Sequence, residues 1–305
     1  MKEAIITGAN GFVGRHLVRE LCEKGYTVYA VVRSEAFDSI ALKNVNIIKC
    51  DMDHIKDLED RISSVGDDCV FYNLAWEGNS GALRGDYELQ LLNVKRTIDA
   101  AVVAKKIGCR KFIMAGSVTQ LLYRDYLRCD NITPEIVTLY SIGKMSAEAM
   151  LKCVCCDIDL NLCCTYIANF YGEDDTTQNF INFLIDNYSA KKTPVLTPAE
   201  QLADFIHVDD VAKALRYLGE KGKSNNSYYI GYGDPKPLKD FIKIIHEYLA
   251  PEIPTGIGGK PFSGESIDYT KIDYKKINRE TGFVPQVRFE DGIKAVIEER
   301  LKLYV

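Results

Sequence analysis

The sequence predicts an α/β fold: a Rossmann-type doubly wound parallel sheet with a smaller C-terminal α/β substrate lobe. Three observations predict it. Short apolar runs alternate with amphipathic helical patterns from the first residue onward, and strand alternating with helix implies parallel βαβ units. The first of these runs leads directly into a glycine-rich loop that opens a helix, the arrangement that receives a dinucleotide pyrophosphate. The chain has 305 residues, enough for one large α/β domain and a second lobe.

The elements follow in order. EAIITG, TVYAVVR, NIIKC, CVFYNLA, RKFIMAG and LNLCCTYIA each read as a buried strand, and VGRHLVRELCEKG and LQLLNVKRTIDAAVVAKKIG are among the helices between them, since buried parallel strands are continuous apolar runs and surface helices are not. Next come a helix at NFINFLIDNYSAKK, the Pro-bearing stretch TPVLTPAE, and FIHVDDVAKALRYLGEKG, read as a strand end and a helix returning to the sheet. From Pro235 onward the pattern predicts a helix at LKDFIKIIHEYLA, a Gly/Pro-rich loop from Pro251 to Gly264 and a final helix running to Val305. The expected division is 1–171 and 202–234 for the dinucleotide-binding domain, and 172–201 and 235–305 for the substrate lobe.

Composition excludes several function classes. Apolar residues at 47% and charged residues at 27% are ordinary for a globular protein and argue against disorder. A net charge of -5 provides no basic field for nucleic acid or an anionic membrane. No leader pattern and no run of membrane-spanning length is found, so a cytoplasmic protein is expected. Five of the ten cysteines cluster as Cys153, Cys155, Cys156, Cys163 and Cys164. They lack the paired knuckles of a zinc site, so no metal is expected, and the cysteines read as small buried hydrophobes of a reducing compartment.

The loop after the first strand reads Gly8-Ala9-Asn10-Gly11-Phe12-Val13-Gly14. Its glycines permit a tight turn and close approach to a pyrophosphate, which the free N–H groups of the following helix would bind. The second strand ends Ala30-Val31-Val32-Arg33-Ser34, with no carboxylate before Glu35. An acid there would take the 2′-hydroxyl of NAD, whereas an arginine offers a fork of donors to the 2′-phosphate of NADP. Arg33 therefore points to NADP over NAD, the alternative being an arginine that stacks on adenine or faces solvent. In YSIGK, Tyr140 and Lys144 lie four residues apart and share a helix face, where a cation would favour the phenolate form.

With these two motifs in place the chain resembles, along essentially its whole length, the extended short-chain dehydrogenase/reductases. The resemblance is to their epimerase/dehydratase branch, which acts on sugar nucleotides, and is nearest to 4-keto-6-deoxyhexose reductases. Asp51-Met52 looks like the adenine contact, Asn73-Leu74-Ala75 like the segment beside the cofactor, and Asn93 like the structural asparagine of the next helix. Asn169-Phe170-Tyr171-Gly172 resembles the N-x-Y-G turn, and Asp204 to Asp210 reads DFIHVDD. The resemblance implies that Ser117, Tyr140 and Lys144 are catalytic. Tyr140 would exchange a proton with the substrate, Lys144 would tune the phenol and hold the nicotinamide ribose, and Ser117 would donate to the substrate carbonyl. It implies cofactor contacts at Gly8, Asn10, Gly11, Phe12, Val13, Gly14, Arg33, Asp51, Met52, Leu74, Ala75, Asn93, Tyr140 and Lys144. Substrate contacts are implied at Trp76, Ser117, Thr119, Asn169 and Val195, together with a homodimer through helices of the large domain.

Departures from the family pattern narrow the expectation. Where dehydratases carry an Asp-Glu pair after the catalytic Ser/Thr, this chain has Val118-Thr119, so dehydration is not expected. Ala203, Phe262 and Tyr166 stand where the family places arginines, leaving Lys191, Lys192 or Lys260 to grip a diphosphate. The leading expectation is a nucleotide-sugar 4-ketoreductase or 4-epimerase. The alternatives are an NADPH-dependent reductase of a small uncharged carbonyl compound and a non-catalytic dinucleotide sensor.

Overall fold

A computed structural model of the chain describes residues 2–33, 43–62, 65–123, 135–262 and 266–302. Seven parallel strands form the main sheet: β1 (Glu3–Thr7), β2 (Thr27–Val32), β3 (Val45–Lys49), β4 (Val70–Asn73), β5 (Lys111–Met114), β6 (Asn161–Ile167) and β10 (Asn226–Ile230). They lie in the order β10-β6-β5-β4-β1-β2-β3, and every adjacent pair is parallel. The chain leaves β1 toward β2 on one side and returns to β4 on the other, so the order reverses between β1 and β4. A ligand crevice forms at such a switch point, beyond the carboxyl ends of the strands.

Six of the seven strands coincide with the apolar runs of the sequence. Successive side chains of a strand point to opposite faces, and both faces are covered here. Ile6, Val70, Tyr72 and Ile113 enter one core, packed where α1 (Phe12–Glu23) meets α7 (Val208–Lys221). Ile5, Phe71 and Phe112 enter the other, under α3 (Tyr87–Ile107) and α5 (Leu139–Asp157). Phe71 and Phe112 stack across β4 and β5 with ring centroids 5.3 Å apart. Full burial of such a side chain contributes roughly 1.5–3 kcal/mol, which is why these strands are apolar on both faces.

The strand β10 has no counterpart among the predicted runs. Its residues NSYYI follow Ser224-Asn225, and a strand at the sheet edge tolerates polar flanks and tyrosines that blur the apolar signal. Tyr228 is nevertheless fully buried and donates its hydroxyl to Glu280 at 2.6 Å.

The remaining elements are α2 (Leu58–Arg61), α4 (Thr119–Tyr123), α6 (Phe180–Ser189), α8 (Leu238–Leu249), α9 (Lys275–Thr281) and α10 (Phe289–Lys302). Two small sheets pair β7 (Asn169–Tyr171) with β9 (Phe205–His207) and β8 (Leu202–Ala203) with β11 (Lys236–Pro237). A third core gathers residues of α6, α8 and α10 with Tyr171, Ala203 and Phe205. The DFIHVDD stretch ties these parts together. Asp204 accepts from the Tyr229 hydroxyl and the Gly233 N–H, Asp209 pairs with His16 of α1, and Asp210 accepts from the backbone of Gln286 and Val287. Of the predicted features, Ser34 and Glu35, Gly264 and residues 303–305 lie outside the described residues.

The cysteines are corrected in part. Cys155, Cys163 and Cys164 are buried, but Cys153 and Cys156 are exposed, because they fall on the outer face of α5 while Cys155 faces the sheet. Among the described residues no cluster of His, Cys, Asp or Glu fit to hold a metal is found, and no helix is long and apolar enough to cross a membrane.

Candidate active site

The glycine loop sits at the carboxyl end of β1. Gly8 has φ of +68°, and a Cβ there would lie 3.0 Å from the Ala75 nitrogen. The loop is thus pressed against Leu74-Ala75 at the end of β4, whose N–H groups bond to the Thr7 carbonyl and hydroxyl. Gly14 lets α1 start against this turn, since its Cβ would fall 2.2 Å from the Gly8 carbonyl oxygen. Gly11 caps α1 without any side-chain bond, and no acid occupies the first turn. An uncapped, acid-free helix N-terminus beside a close-packed glycine turn fits a dinucleotide pyrophosphate. Phe12 packs on Phe170 with ring centroids 6.0 Å apart, Val13 packs on the core, and the Asn10 carbonyl accepts from Arg15.

The carboxyl ends of β2 and β3 and the turn after β4 are built from charges. Arg33 is exposed at the end of β2, with Nη1 3.6 Å from Glu77 Oε1. Glu77 in turn takes Nη1 of Arg96 at 3.1 Å, and Arg96 Nε bonds Asp53 at 2.7 Å. Asp51 caps the short helical turn Met52–Asp57 by accepting from the Asp53 N–H, and Met52 packs on the core below. Asn93 is buried on α3 and grips Glu77 by both backbone groups, Oδ1 accepting from its N–H at 3.2 Å and Nδ2 donating to its carbonyl at 2.8 Å. That clamp fixes the turn after β4.

Ser117, Tyr140 and Lys144 converge at the carboxyl ends of β5 and β6. Ser117 bridges to Ile167 of β6, and its hydroxyl lies 3.0 Å from that of Thr119, which also accepts from Ser141 at 2.9 Å. Burial pushes the Tyr140 phenol up, while a hydrogen bond with Ser117 and the Arg84 charge hold it back. The Lys144 ammonium is buried, which pulls it down to about 7. It donates to the Ala115 carbonyl at 2.7 Å and sits 4.0 Å from the ring centre of Trp76. Trp76 also meets Tyr140 edge-on at 6.2 Å and donates to Gln90 at 2.9 Å. Trp76 and Thr119 are therefore at the site. Asn169 is exposed on β7 and Val195 is 60% exposed; neither has a side-chain hydrogen bond or ring contact to the three among the described residues.

Three participants were not read from the sequence. Arg84 lies with its guanidinium carbon 4.6 Å from the Tyr140 ring centre, and no motif marks it. Gln120 accepts from the Ser117 N–H at 2.8 Å and passes its amide to buried Glu148 at 3.0 Å. Glu148 follows Lys144 by one helical turn, a spacing that could have revealed it. It also accepts from Lys152 at 2.7 Å, Ser227 at 2.7 Å and Tyr166 at 3.0 Å. Four donors offset the cost of burying one carboxylate, and Tyr166 thereby has a role where the family pattern has an arginine.

With this geometry in hand, comparison with known proteins decides the family. The model of the NAD dependent epimerase/dehydratase family matches residues 4–231. The chain belongs to that family. Its relatives include CDP-abequose synthase of Salmonella typhimurium, 28% identical over 81% of each chain, and a putative UDP-glucose 4-epimerase of Methanocaldococcus jannaschii, 25% identical over 96% of each. Among solved structures, UDP-glucose 4-epimerase of Thermotoga maritima with UDP-glucose has a TM-score of 0.78 and 22% identity, covering 99% of this chain and 100% of that one. The dTDP-glucose 4,6-dehydratase of Bacillus anthracis in complex with NAD also has a TM-score of 0.78, with 20% identity, covering 99% and 97%. At these identities the structures carry the fold alone. As a family member the chain is an enzyme that uses a nicotinamide dinucleotide, and the resemblance read from the sequence is borne out.

Proposed function

We propose that the chain is a 4-ketoreductase or 4-epimerase of a nucleotide sugar, acting on a sugar hydroxyl or keto carbon. The observation that carries this reading is the convergence of Ser117, Tyr140 and Lys144 at the carboxyl ends of the strands, in the same crevice as the glycine loop. When bound, the nicotinamide supplies or takes the hydride at the substrate carbon. Tyr140 gives or takes the proton at the substrate oxygen, Ser117 donates a hydrogen bond to that oxygen, and Lys144 leaves Ala115 to hold the nicotinamide ribose. Gly8, Gly11 and Gly14 with the first turn of α1 hold the pyrophosphate, and Asp51 and Met52 meet the adenine. The lobe of residues 172–201 and 235–305 would close over the sugar nucleotide, bringing Val195 to it, while Asn169 would meet it from β7 of the dinucleotide-binding domain.

Dehydration is not part of the proposal, although relatives include dehydratases. Val118 is buried and apolar, and the Thr119 hydroxyl is engaged by two others, so neither position offers an acid to expel a hydroxyl. A reductase of a small uncharged carbonyl is the second reading. It draws support from Ala203, Phe262 and Tyr166 standing in for arginines, and from Lys191 being tied to Glu252 at 2.6 Å, which leaves Lys192 and Lys260 for a diphosphate. A panel of nucleotide sugars and small ketones, followed by nicotinamide absorbance, separates the readings. Turnover of nucleotide sugars is expected; turnover of small ketones alone would overturn the first reading, and dinucleotide binding without any turnover would favour a sensor.

For the cofactor we propose NADP over NAD, because Arg33 stands at the end of β2. Glu77 already shares that arginine, so the preference should be smaller than a free arginine would give. Arg33→Ala is expected to weaken NADP more than NAD, by about 1.5–3 kcal/mol at most for one charge-assisted contact. Equal losses in calorimetric titrations with the two dinucleotides would refute the preference.

We also infer a cytoplasmic homodimer through α3 and α5, whose outer faces expose Tyr87, Leu91 and Met150. Exposed apolar side chains grouped on adjacent helices are characteristic of a protein interface, and sedimentation velocity distinguishes dimer from monomer.

A further inference from the structure

We propose that Gln120 is a positioning residue of the reaction, one that fixes the Ser117 turn to the helix carrying Tyr140. The proposal deepens the reading of Ser117 and Tyr140 as the groups that meet the substrate oxygen, and rests on it. Ser117 follows β5 and Tyr140 belongs to α5, so two separate elements have to present their hydroxyls to one atom. A group displaced by about 1 Å from a reacting atom can cost on the order of 10²-fold in rate. The turn therefore has to be held against the helix.

Gln120 supplies that hold. It lies on α4 and is 2% exposed. Its Oε1 accepts from the Ser117 N–H at 2.8 Å, and its own backbone N–H donates to the Ser117 carbonyl at 3.0 Å. Ser117 is thus gripped by both backbone groups. The far end of the amide, Nε2, donates to Glu148 Oε2 at 3.0 Å. Glu148 lies on α5, two turns beyond Tyr140, and is buried. Lys152, Ser227 and Tyr166 all bond to its Oε1, at 2.7, 2.7 and 3.0 Å, which leaves Oε2 to Gln120.

The amide has one workable orientation. A backbone N–H only donates and a carboxylate only accepts, so turning the amide over would set donor against donor and oxygen against oxygen. Glu148 therefore orients Gln120, and Gln120 orients Ser117. Gly116 leaves the room this needs, because a Cβ there would lie 2.4 Å from Gln120 Oε1. A second tie to α5, from Ser141 to Thr119, ends on a hydroxyl and does not hold the Ser117 backbone. The Ser117 hydroxyl itself meets only Thr119, whose hydroxyl is at 3.0 Å and whose N–H is at 3.3 Å. Gln120 thus acts through Ser117.

The test is a double-mutant cycle of Gln120→Met and Ser117→Ala, read by nicotinamide absorbance with the compound of the substrate panel that the parent turns over. Gln120→Met keeps length and bulk but neither side-chain hydrogen bond. It is expected to lower kcat at least ~10-fold with KM little changed, since binding is kept and the donor is misplaced. In the Ser117→Ala background the same substitution should cost less than roughly threefold, because no hydroxyl is left to place. Amide exchange of Ser117 reports the clamp without any substrate. In protein labelled with nitrogen-15 serine, where Ser117→Ala identifies the signal, Gln120→Met should speed that exchange by about tenfold. Gln120→Leu replaces Gln120→Met if that variant does not fold. An equal loss of kcat in both backgrounds overturns the proposal, as does a parental kcat or a parental Ser117 exchange rate in Gln120→Met. Parental turnover by Ser117→Ala overturns it together with the reading it rests on, whereas a failure confined to Gln120→Met leaves that reading standing, so the two failures are distinguishable.

Discussion

Lys144→Met is expected to raise the melting temperature of the cofactor-free protein at pH 7 while removing most of its turnover. Burial holds the Lys144 ammonium at about 7, against an ordinary 10.5. At about 1.4 kcal/mol per pH unit, the charged form is disfavoured in the fold by on the order of 4–5 kcal/mol. The single hydrogen bond to Ala115 recovers roughly 1 kcal/mol of stability that methionine forgoes, so a net gain on the order of 3 kcal/mol remains. Its pH dependence has a fixed sign. Below pH 7 the lysine is protonated in both the folded and the unfolded chain, and the full cost is present. Between pH 7 and 10.5 the unfolded chain binds more protons, so the stability of the parent rises with pH and the advantage of Lys144→Met shrinks. Thermal unfolding at pH 6, 8 and 10 checks this. A variant that melts below the parent at pH 6 would mean that the buried ammonium is better compensated than its contacts with Ala115 and Trp76 indicate. The same substitution deletes the proposed contact to the nicotinamide ribose, so weaker dinucleotide binding should accompany the gain in stability.

Much of the fold was legible because both faces of a parallel sheet are buried. Ile5 and Ile6, Phe71 and Tyr72, and Phe112 and Ile113 enter opposite cores, which forces continuous apolar runs that a sequence displays. The edge strand Asn226–Ile230 was missed since its polar flanks interrupt such a run. Motifs located the glycine loop and the Tyr140 and Lys144 helix because they depend on local spacing. Side-chain direction does not follow from spacing. Lys144 shares a face with Tyr140, yet its ammonium turns to Ala115, and a cation from 56 positions earlier, Arg84, lies over the ring instead. Glu148 was in view one turn beyond Lys144, but its four donors come from α4, α5, β6 and β10, and only the folded sheet brings them together. For Arg33 the sequence identified the residue at the end of β2, while its partner Glu77 belongs to the separate turn after β4.

Tyr140→Phe tests the central claim most directly. Tyr140 is nearly buried against Trp76 and Arg84, and phenylalanine keeps that packing while removing the hydroxyl that gives or takes the proton. Stability and dinucleotide affinity should stay close to those of the parent, whereas the loss in rate should be ~10²–10⁴-fold, as is typical of a general acid–base group. The measurement is single-turnover hydride transfer between the bound nicotinamide and a nucleotide sugar turned over by the parent, with dinucleotide affinity determined separately on the same preparations. The account predicts a bound, folded variant that transfers hydride at least ~10²-fold more slowly than the parent. Hydride transfer by Tyr140→Phe at the parental rate would contradict it.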